Sequence, residues 1–245
     1  MPKVRLDTLL VSRGLAVSRE RARAMVLGGR VRVSTVAQPK PGALVDDQVD
    51  IDVLGPDHPY VSRGGVKLAH ALDVFGVSAA GRKALDIGAS TGGFTDVLLR
   101  RGATVVVALD VGRGQLDWRL RTDRRVRVVE GVNARTLTPE QLPGDHRAFD
   151  IVTMDVAFIS LRYILPVVPP LLRPGADVIA LVKPQFEAGR AEVGGGGVVR
   201  DPAVHARVVD EVTRAAAALG LDARRTTASP ITGVEGNIEI FVHLK

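Results

Sequence analysis

The segment Asp86-Ile-Gly-Ala-Ser-Thr-Gly-Gly-Phe-Thr-Asp96 lies directly after a short apolar run and directly before a helical pattern. A second acid, Asp110, closes the next apolar run, residues 105–109. A strand that runs into a glycine-rich turn and then a helix is the unit from which doubly wound α/β sheets are built. Gly88, Gly92 and Gly93 allow the backbone to approach a ligand closely. Asp110, at the tip of the second strand, is placed to accept both hydroxyls of a ribose. The two features together point to an α/β sheet with a nucleotide-type cofactor site.

Two cofactors compete for such a turn. Dinucleotide sites usually read G-x-G-x-x-G and set a pyrophosphate on the helix N-terminus. Here the order is Gly88-Ala-Ser-Thr-Gly92-Gly93, with Asp86 ahead of the first glycine. An acid in that position repels pyrophosphate and suits the positive end of S-adenosylmethionine (SAM). The segment therefore reads as a SAM site before a dinucleotide site, and an ordinary strand-to-helix turn is the plain alternative.

From Lys83 onward, strand-like runs at 84–87, 105–109, 126–130, 151–154, 178–182 and 238–244 alternate with helical ones. The pattern predicts a doubly wound sheet whose last strand adds antiparallel after the stretch 223–231. A helix is expected over 202–219, with Gly220 just past its end.

The chain has 245 residues, 46% of them hydrophobic, and no cysteine, so neither a disulfide framework nor a thiolate nucleophile or metal ligand is available. No apolar run approaches the roughly 18 residues that a membrane helix needs. The N-terminus lacks the apolar core of a signal peptide, and a cytoplasmic location is expected. The net charge of +6 is concentrated at one end: residues 1–45 carry nine lysines and arginines against Asp7 and Glu20. A localised basic module suggests a polyanionic partner, with a solvated arginine-rich face as the bland reading.

That basic segment reads as two short helices and a small sheet. Leu6, Leu9 and Leu10 share one helical face and Gly14 can end it. Ser18 is a candidate cap for a second helix with Ala22, Met25 and Val26 turned inward, stopped by Gly28-Gly29. Val31 and Val33, and later Val49, Ile51 and Val53, alternate as half-buried strands. The runs Arg5-Leu-Asp-Thr-Leu-Leu10, Ser18-Arg-Glu-Arg-Ala22, Gly29-Arg-Val-Arg-Val33 and Lys40-Pro-Gly42 resemble an S4-type RNA-binding domain. The resemblance implies that Lys3, Arg5, Arg13, Arg19, Arg23 and Arg30 face RNA phosphates, with salt-dependent affinity for structured RNA. The expected organisation is an S4 domain at 1–54, a linker at 55–62 marked by two prolines, and a catalytic domain at 63–245.

Four polar residues stand where packing does not call for them: Lys67, Asp155, Lys183 and Glu239. Asp155 and Lys183 end apolar central strands at the carboxyl edge, where such sheets bind ligands. Taken singly, Lys67 reads as a solvated helix lysine and Glu239 as an outward strand residue. With the glycine-rich turn, the set resembles the Lys-Asp-Lys-Glu tetrad of the FtsJ-like ribose 2′-O-methyltransferases. Joined to an S4 domain, it is similar to the TlyA family of rRNA (cytidine-2′-O)-methyltransferases, historically called haemolysins. The segments Tyr60-Val-Ser-Arg-Gly-Gly65, Asp155-Val-Ala-Phe-Ile-Ser160, Leu181-Val-Lys-Pro-Gln-Phe-Glu187 and Gly197-Val-Val-Arg-Asp-Pro202 extend the likeness over nearly the whole chain. The glycine run 194–197 is a local difference that lengthens or loosens a loop after Lys183.

The resemblance implies a Rossmann-like SAM-dependent methyltransferase acting on cytidine ribose in 16S rRNA, 23S rRNA or both, as a monomer, with a consequent effect on susceptibility to cyclic peptide antibiotics. It implies Lys67, Asp155, Lys183 and Glu239 as catalytic residues, and no metal. Asp86, Gly88, Ala89, Ser90, Gly92, Gly93, Phe94, Asp110, Asn133, Asp155 and Phe158 are the implied cofactor contacts. Phe158 has a core aromatic role as its alternative reading. A ribose hydroxyl is a poor nucleophile, so a base must take its proton, and Lys183 is the candidate base or positioning group. The loop 187–199 is a candidate lid. A membrane-active haemolysin, an S4 binding factor with a vestigial cofactor fold, and an NAD enzyme are the competing readings.

Overall fold

The computed structural model describes residues 3–16, 18–27, 29–36, 39–54, 58–144, 148–233 and 236–245. The helix stop assigned to Gly28 and the first residues of the linker, 55–57, lie outside these residues. The chain divides into two compact units, Met1–Pro59 and Tyr60–Lys245.

In the first unit, β1 (Lys3–Arg5) leads into α1 (Leu6–Ser12), followed by α2 (Arg19–Leu27), β2 (Val31–Val33), β3 (Leu44–Asp46) and β4 (Ile51–Val53). β1 pairs antiparallel with β3, and β2 with β4. The apolar positions read from the helical spacing, Leu6, Leu9, Leu10, Ala22, Met25 and Val26, meet Val31, Val33, Val45 and Val49 in one core. Gly14 adopts φ +69 just past α1, a conformation that suits glycine at a helix end.

The second unit opens with α3 (Arg63–Phe75) and continues β5 (Lys83–Ile87), α4 (Gly93–Arg100), β6 (Val105–Asp110), α5 (Trp118–Arg121), β7 (Val126–Glu130), β8 (Phe149–Met154), β9 (Leu172–Val182), α6 (Pro184–Glu187), α7 (Pro202–Ala217), β10 (Ala223–Ala228) and β11 (Ile240–Leu244). The strands form one seven-stranded sheet in the order β10-β11-β9-β8-β5-β6-β7. β7, β6, β5, β8 and β9 run parallel, and β11 pairs antiparallel with both β9 and β10. The order reverses between β5 and β8, which is where open α/β sheets gather ligands at their carboxyl edge. Two apolar layers cover the faces. One is built on Leu68, Leu72, Phe94 and Leu98, the other on Leu85, Ile87, Leu165, Val208 and Val212.

The antiparallel last strand agrees with the sequence pattern, but two elements differ from it. β10 is a strand although Ala223–Ala228 carries almost no apolar alternation, because an edge strand with exposed faces needs none. β9 begins at Leu172 and takes in Arg173-Pro-Gly175, a run that reads as a turn. Its Pro174 lies in the exposed start of the strand, where proline is tolerated. Among the described residues no helix is long and apolar enough to cross a membrane.

Candidate active site

The glycine turn between β5 and α4 is fastened to the end of β6. The Gly88 and Ala89 N–H groups donate to the Leu109 carbonyl at 2.8 and 3.0 Å. Gly88 holds φ +84, and a side chain there would meet the Asp155 carbonyl at 2.5 Å, so the chain can pass only without one. Ser90 takes the left-handed φ of +47, uncommon for a residue with a side chain. The Ser90 N–H donates to Asp110 Oδ2 at 2.8 Å, and the Gly112 N–H donates to Asp110 Oδ1 at 2.7 Å. Each Asp110 oxygen therefore keeps a further lone pair for a hydroxyl donor. Asn133 is exposed beyond β7 and its side-chain oxygen accepts from the Arg135 N–H.

Two expected cofactor contacts, Asp86 and Phe94, are buried, and the core alternative for Phe158 does not hold. Asp86 is fully buried beneath the turn, where Oδ2 accepts from Thr95 Oγ1 at 2.7 Å and Oδ1 from Thr153 Oγ1 at 2.9 Å. Both carboxylate oxygens are thus engaged by side chains of the protein itself. Phe94 is a core residue, 6.0 Å from the Phe241 ring between centroids. Phe158 does the reverse: at 92% exposure and φ +63 it is no core aromatic, and its ring lies 5.2 Å from that of Phe186. Gly93, at the start of α4, makes room for Ser62 and for the Gly64-Gly65 backbone of α3.

Burial pushes the Asp86 carboxyl up to about 7, against the hydroxyls of Thr95 and Thr153, and the nearby Asp155 charge adds to the rise. An acid whose folded pKa stands above its unfolded value of about 3.9 destabilises the fold progressively as pH climbs between the two, and by a constant amount above them. Asp86→Asn removes that titration, and the amide can accept from one threonine hydroxyl and donate to the other. The variant is expected to gain on the parent steadily from about pH 4 to pH 7 and to melt several degrees above it at pH 8, for a gain on the order of 4 kcal/mol. A lower melting temperature than the parent at pH 8 would sink this account of Asp86.

The four remaining polar residues form two ion pairs. Asp155 follows β8 and Lys183 follows β9; Lys183 Nζ lies 2.6 Å from Asp155 Oδ1. That oxygen has no aligned hydrogen bond, so the contact is a charge pair rather than a directed bond. On α3, Lys67 Nζ lies 2.5 Å from Oε2 of Glu239, which directly precedes β11. The Lys67 and Glu239 side chains are 11% and 3% exposed, so the helix lysine is not a solvated one. Ile240 faces Val182 across the antiparallel ladder, which makes Glu239 and Lys183 the next pair outward. Asp155, Lys183 and Glu239 thus stand at the ends of adjacent strands, on the edge that also carries the glycine turn, and Lys67 reaches Glu239 from α3. Among the described residues no group of three metal-ligating side chains occurs.

Sequence reasoning assigned no role to two buried residues beside this edge. Glu187 Oε2 accepts from Ser160 Oγ at 2.5 Å, and Oε1 accepts from the Leu161 N–H at 2.7 Å. Burial pushes the Glu187 carboxyl up, while these two bonds and the Arg162 charge pull it down. Asn237 accepts from the Val199 N–H at 3.0 Å and donates to the Gly197 carbonyl at 2.9 Å. The candidate lid is therefore held near both ends. Both residues fall in quoted or neighbouring motif runs, but their partners lie 26 to 40 residues away in sequence.

In the first unit the six candidate RNA residues divide. Arg5 clamps the buried Asp7 carboxylate at 3.0 and 2.7 Å, and Arg19 reaches it at 3.5 Å. Arg13 donates to the Val49 and Asp47 carbonyls, and Arg30 to the Leu54 carbonyl. Lys3 and Arg23 are exposed. Arg5 and Arg13 thus support the fold as well as carrying charge.

The FtsJ-like methyltransferase family profile matches residues 60–245, and the S4 domain profile matches residues 4–36. Among curated proteins, the chain is 48% identical over 244 residues to the 16S/23S rRNA (cytidine-2′-O)-methyltransferase TlyA of Mycobacterium tuberculosis, covering 99% of this chain and 90% of that one. It is 38% identical over 240 residues to Hemolysin A of Brachyspira hyodysenteriae, covering 98% and 99% respectively. A solved structure of a candidate hemolysin from Streptococcus thermophilus aligns over 100% of this chain and 88% of that one, with 44% identity and a TM-score of 0.77.

Proposed function

The chain belongs to the FtsJ-like methyltransferase family, in the group that carries an S4 domain ahead of the catalytic one, and from that membership we propose that it transfers a methyl group from SAM to the ribose 2′-hydroxyl of cytidine in 16S rRNA, 23S rRNA or both. The observation that carries the reading is the placement of the Lys183–Asp155 and Lys67–Glu239 pairs at neighbouring strand ends beside the glycine turn. We assign residues 1–54 to RNA binding, 55–62 to the linker and 63–245 to catalysis, and take the protein to act as a monomer in the cytoplasm on ribosomal subunits.

The residues at the turn suit SAM. Asp110 retains acceptor capacity on both oxygens for a ribose diol, and Gly88, Ala89, Ser90 and Gly92 form the turn beside it. Asn133 stands where an adenine edge would be met, and Asp155 borders the methionine end. Bound SAM supplies an electrophilic sulfonium methyl. Once its ammonium has released a proton to solvent, Lys183 would accept the 2′-hydroxyl proton at Nζ, so that the ribose oxygen could attack the methyl in line and leave S-adenosylhomocysteine. Asp155 orients the Lys183 amine and stabilises the ammonium that results. Glu239 holds Lys67 in the site as a cation for the ribose-phosphate. Lys3, Arg5, Arg13, Arg19, Arg23 and Arg30 supply phosphate contacts whose strength falls with salt.

The test is methyl transfer from labelled SAM to separated, unmodified 30S and 50S subunits, followed by nucleoside mass spectrometry. Label is expected as 2′-O-methylcytidine. Label on a base, or none on either subunit despite SAM binding, would overturn the reading.

A further inference from the structure

Two segments carry the Lys183–Asp155 pair, one after β8 and one after β9, and they are fastened together at three places. At the near end, Lys183 meets Asp155 at 2.6 Å. Midway, the Phe158 and Phe186 rings lie 5.2 Å apart. At the far end, the buried Glu187 carboxylate takes the Ser160 hydroxyl on one oxygen and the Leu161 N–H on the other, at 2.5 and 2.7 Å. Only three residues separate Lys183 from Glu187, and α6 makes that spacer stiff: it begins with Pro184, and the Phe186 N–H donates to the Lys183 carbonyl at 2.9 Å.

Between Asp155 and Ser160 the backbone passes through Phe158 at φ +63, a conformation that costs of order 1–3 kcal/mol and persists only where its surroundings hold it. One end is held by the Asp155 N–H on the Ile87 carbonyl at 3.0 Å. The other is held by Glu187. Arg162 extends the anchor: Nε lies 3.6 Å from the Glu187 carboxylate, Nη2 donates to the Glu187 carbonyl at 3.3 Å, and Nη1 reaches Glu211 of α7 at 3.2 Å.

We propose that Glu187 is a positioning residue for the transfer reaction: by tying the Ser160-Leu161 corner to the end of α6 it fixes the distance and angle between Asp155 and Lys183. Its two hydrogen bonds are the only side-chain links among the described residues, apart from the Arg162 contacts, that join the far ends of the two segments. The Glu187 carboxylate is buried, with both oxygens taken by these donors. Its effect reaches the chemistry through Lys183, whose amine must lie in line with the 2′-hydroxyl proton, and misplacement on the scale of 1 Å is costly at such a position. The inference rests on the methyltransferase reading given above.

The test compares full-length parent, Glu187→Ala, Glu187→Gln and Ser160→Ala proteins. Each is assayed for methyl transfer at saturating SAM, SAM affinity, melting temperature, and the acetylation rate of Lys183 relative to Lys67 by mass spectrometry. Glu187→Ala is expected to lower kcat at least about twentyfold, with SAM affinity within about twofold of the parent. Ser160→Ala, which removes one of the two bonds, is expected to lower kcat about threefold to fivefold. Glu187→Gln still accepts from the Leu161 N–H, while its amide N–H competes for a Ser160 Oγ that already accepts from the Arg162 N–H and Nε, and it is expected to fall between the alanine variant and the parent in kcat. A residue that merely stabilised the fold would lower the melting temperature and leave kcat unchanged well below it. Parental kcat in Glu187→Ala or in Ser160→Ala, or a Glu187→Gln protein as impaired as the alanine variant, overturns the proposal. Should the parent itself fail to methylate either subunit, the function falls and the acetylation ratio decides the geometry. A rise of about threefold in Lys183 reactivity in Glu187→Ala supports the tie, and an unchanged ratio removes it.

Discussion

Lys183→Ala is expected to lower kcat for methyl transfer about a thousandfold while leaving SAM affinity within about twofold of the parent, because a positioned general base contributes roughly 10²–10⁴ to rate and takes no part in holding the cofactor. The same change leaves Asp155 without its 2.6 Å partner, in a position only 21% exposed. A modest loss of stability, about 1–3 kcal/mol, is therefore expected alongside the kinetic one. Lys183→Arg separates two roles that alanine confounds. Arginine keeps the charge and much of the reach but does not give up its proton near neutrality. If Lys183 removes the 2′-hydroxyl proton, the arginine variant is as inactive as the alanine variant, and the rise of kcat with pH expected of the parent disappears with it. If instead the cation only orients the hydroxyl, arginine retains at least about a tenth of parental kcat. Full turnover in Lys183→Ala would remove the residue from the reaction and leave Lys67 as the remaining candidate on this edge.

Much of this site is legible in the chain because strand ends write themselves into sequence. An apolar run closed by a lone charge, such as Ile151-Val-Thr-Met154 before Asp155 or Val178-Ile-Ala-Leu-Val182 before Lys183, states both that a central strand exists and that a polar group stands at its tip. The glycine positions are legible for the same reason: Gly88 and Gly92 hold φ of +84 and +96, which few other residues tolerate. Asp86 is different. Its place before the turn is visible, but whether its carboxylate faces the ligand or the helix behind depends on which side of the pleat the register assigns, and its partners Thr95 and Thr153 come from other elements. β1 and β3 are three residues each, too short for a period to show. β10 is an exposed edge strand held by β11 rather than by any burial pattern of its own. Glu187 was readable as part of Lys-Pro-Gln-Phe-Glu187 and nothing more, since a buried carboxylate acquires its meaning only when a chain segment 26 residues distant folds back to supply the donors. What single-sequence pattern misses here is therefore not the charged residues at the strand ends but the layer that holds them.

Asp110→Ala tests that distinction from the cofactor side, and its effect is expected on binding rather than on the chemical step. The carboxylate already accepts one backbone N–H on each oxygen, from Ser90 and Gly112. Those bonds aim the remaining lone pairs and hold Ser90 at its left-handed φ of +47. Two charge-assisted bonds to a ribose diol, each worth about 1.5–3 kcal/mol, disappear with the side chain. The Kd for SAM is therefore expected to rise on the order of 10²–10³, read by calorimetry. Asp110→Asn is expected to fall short of rescue, since its amide nitrogen must oppose one of the two N–H donors. At SAM concentrations high enough to saturate the variant, kcat should return to within about threefold of the parent, because Asp110 stabilises bound cofactor equally before and during transfer. Lys183→Ala and Asp110→Ala thus make opposite signatures, a lost kcat with intact SAM binding and a lost affinity with recoverable kcat. An Asp110→Ala protein that binds SAM within about threefold of the parent would displace the ribose from the end of β6, and with it the assignment of the glycine turn as the SAM site.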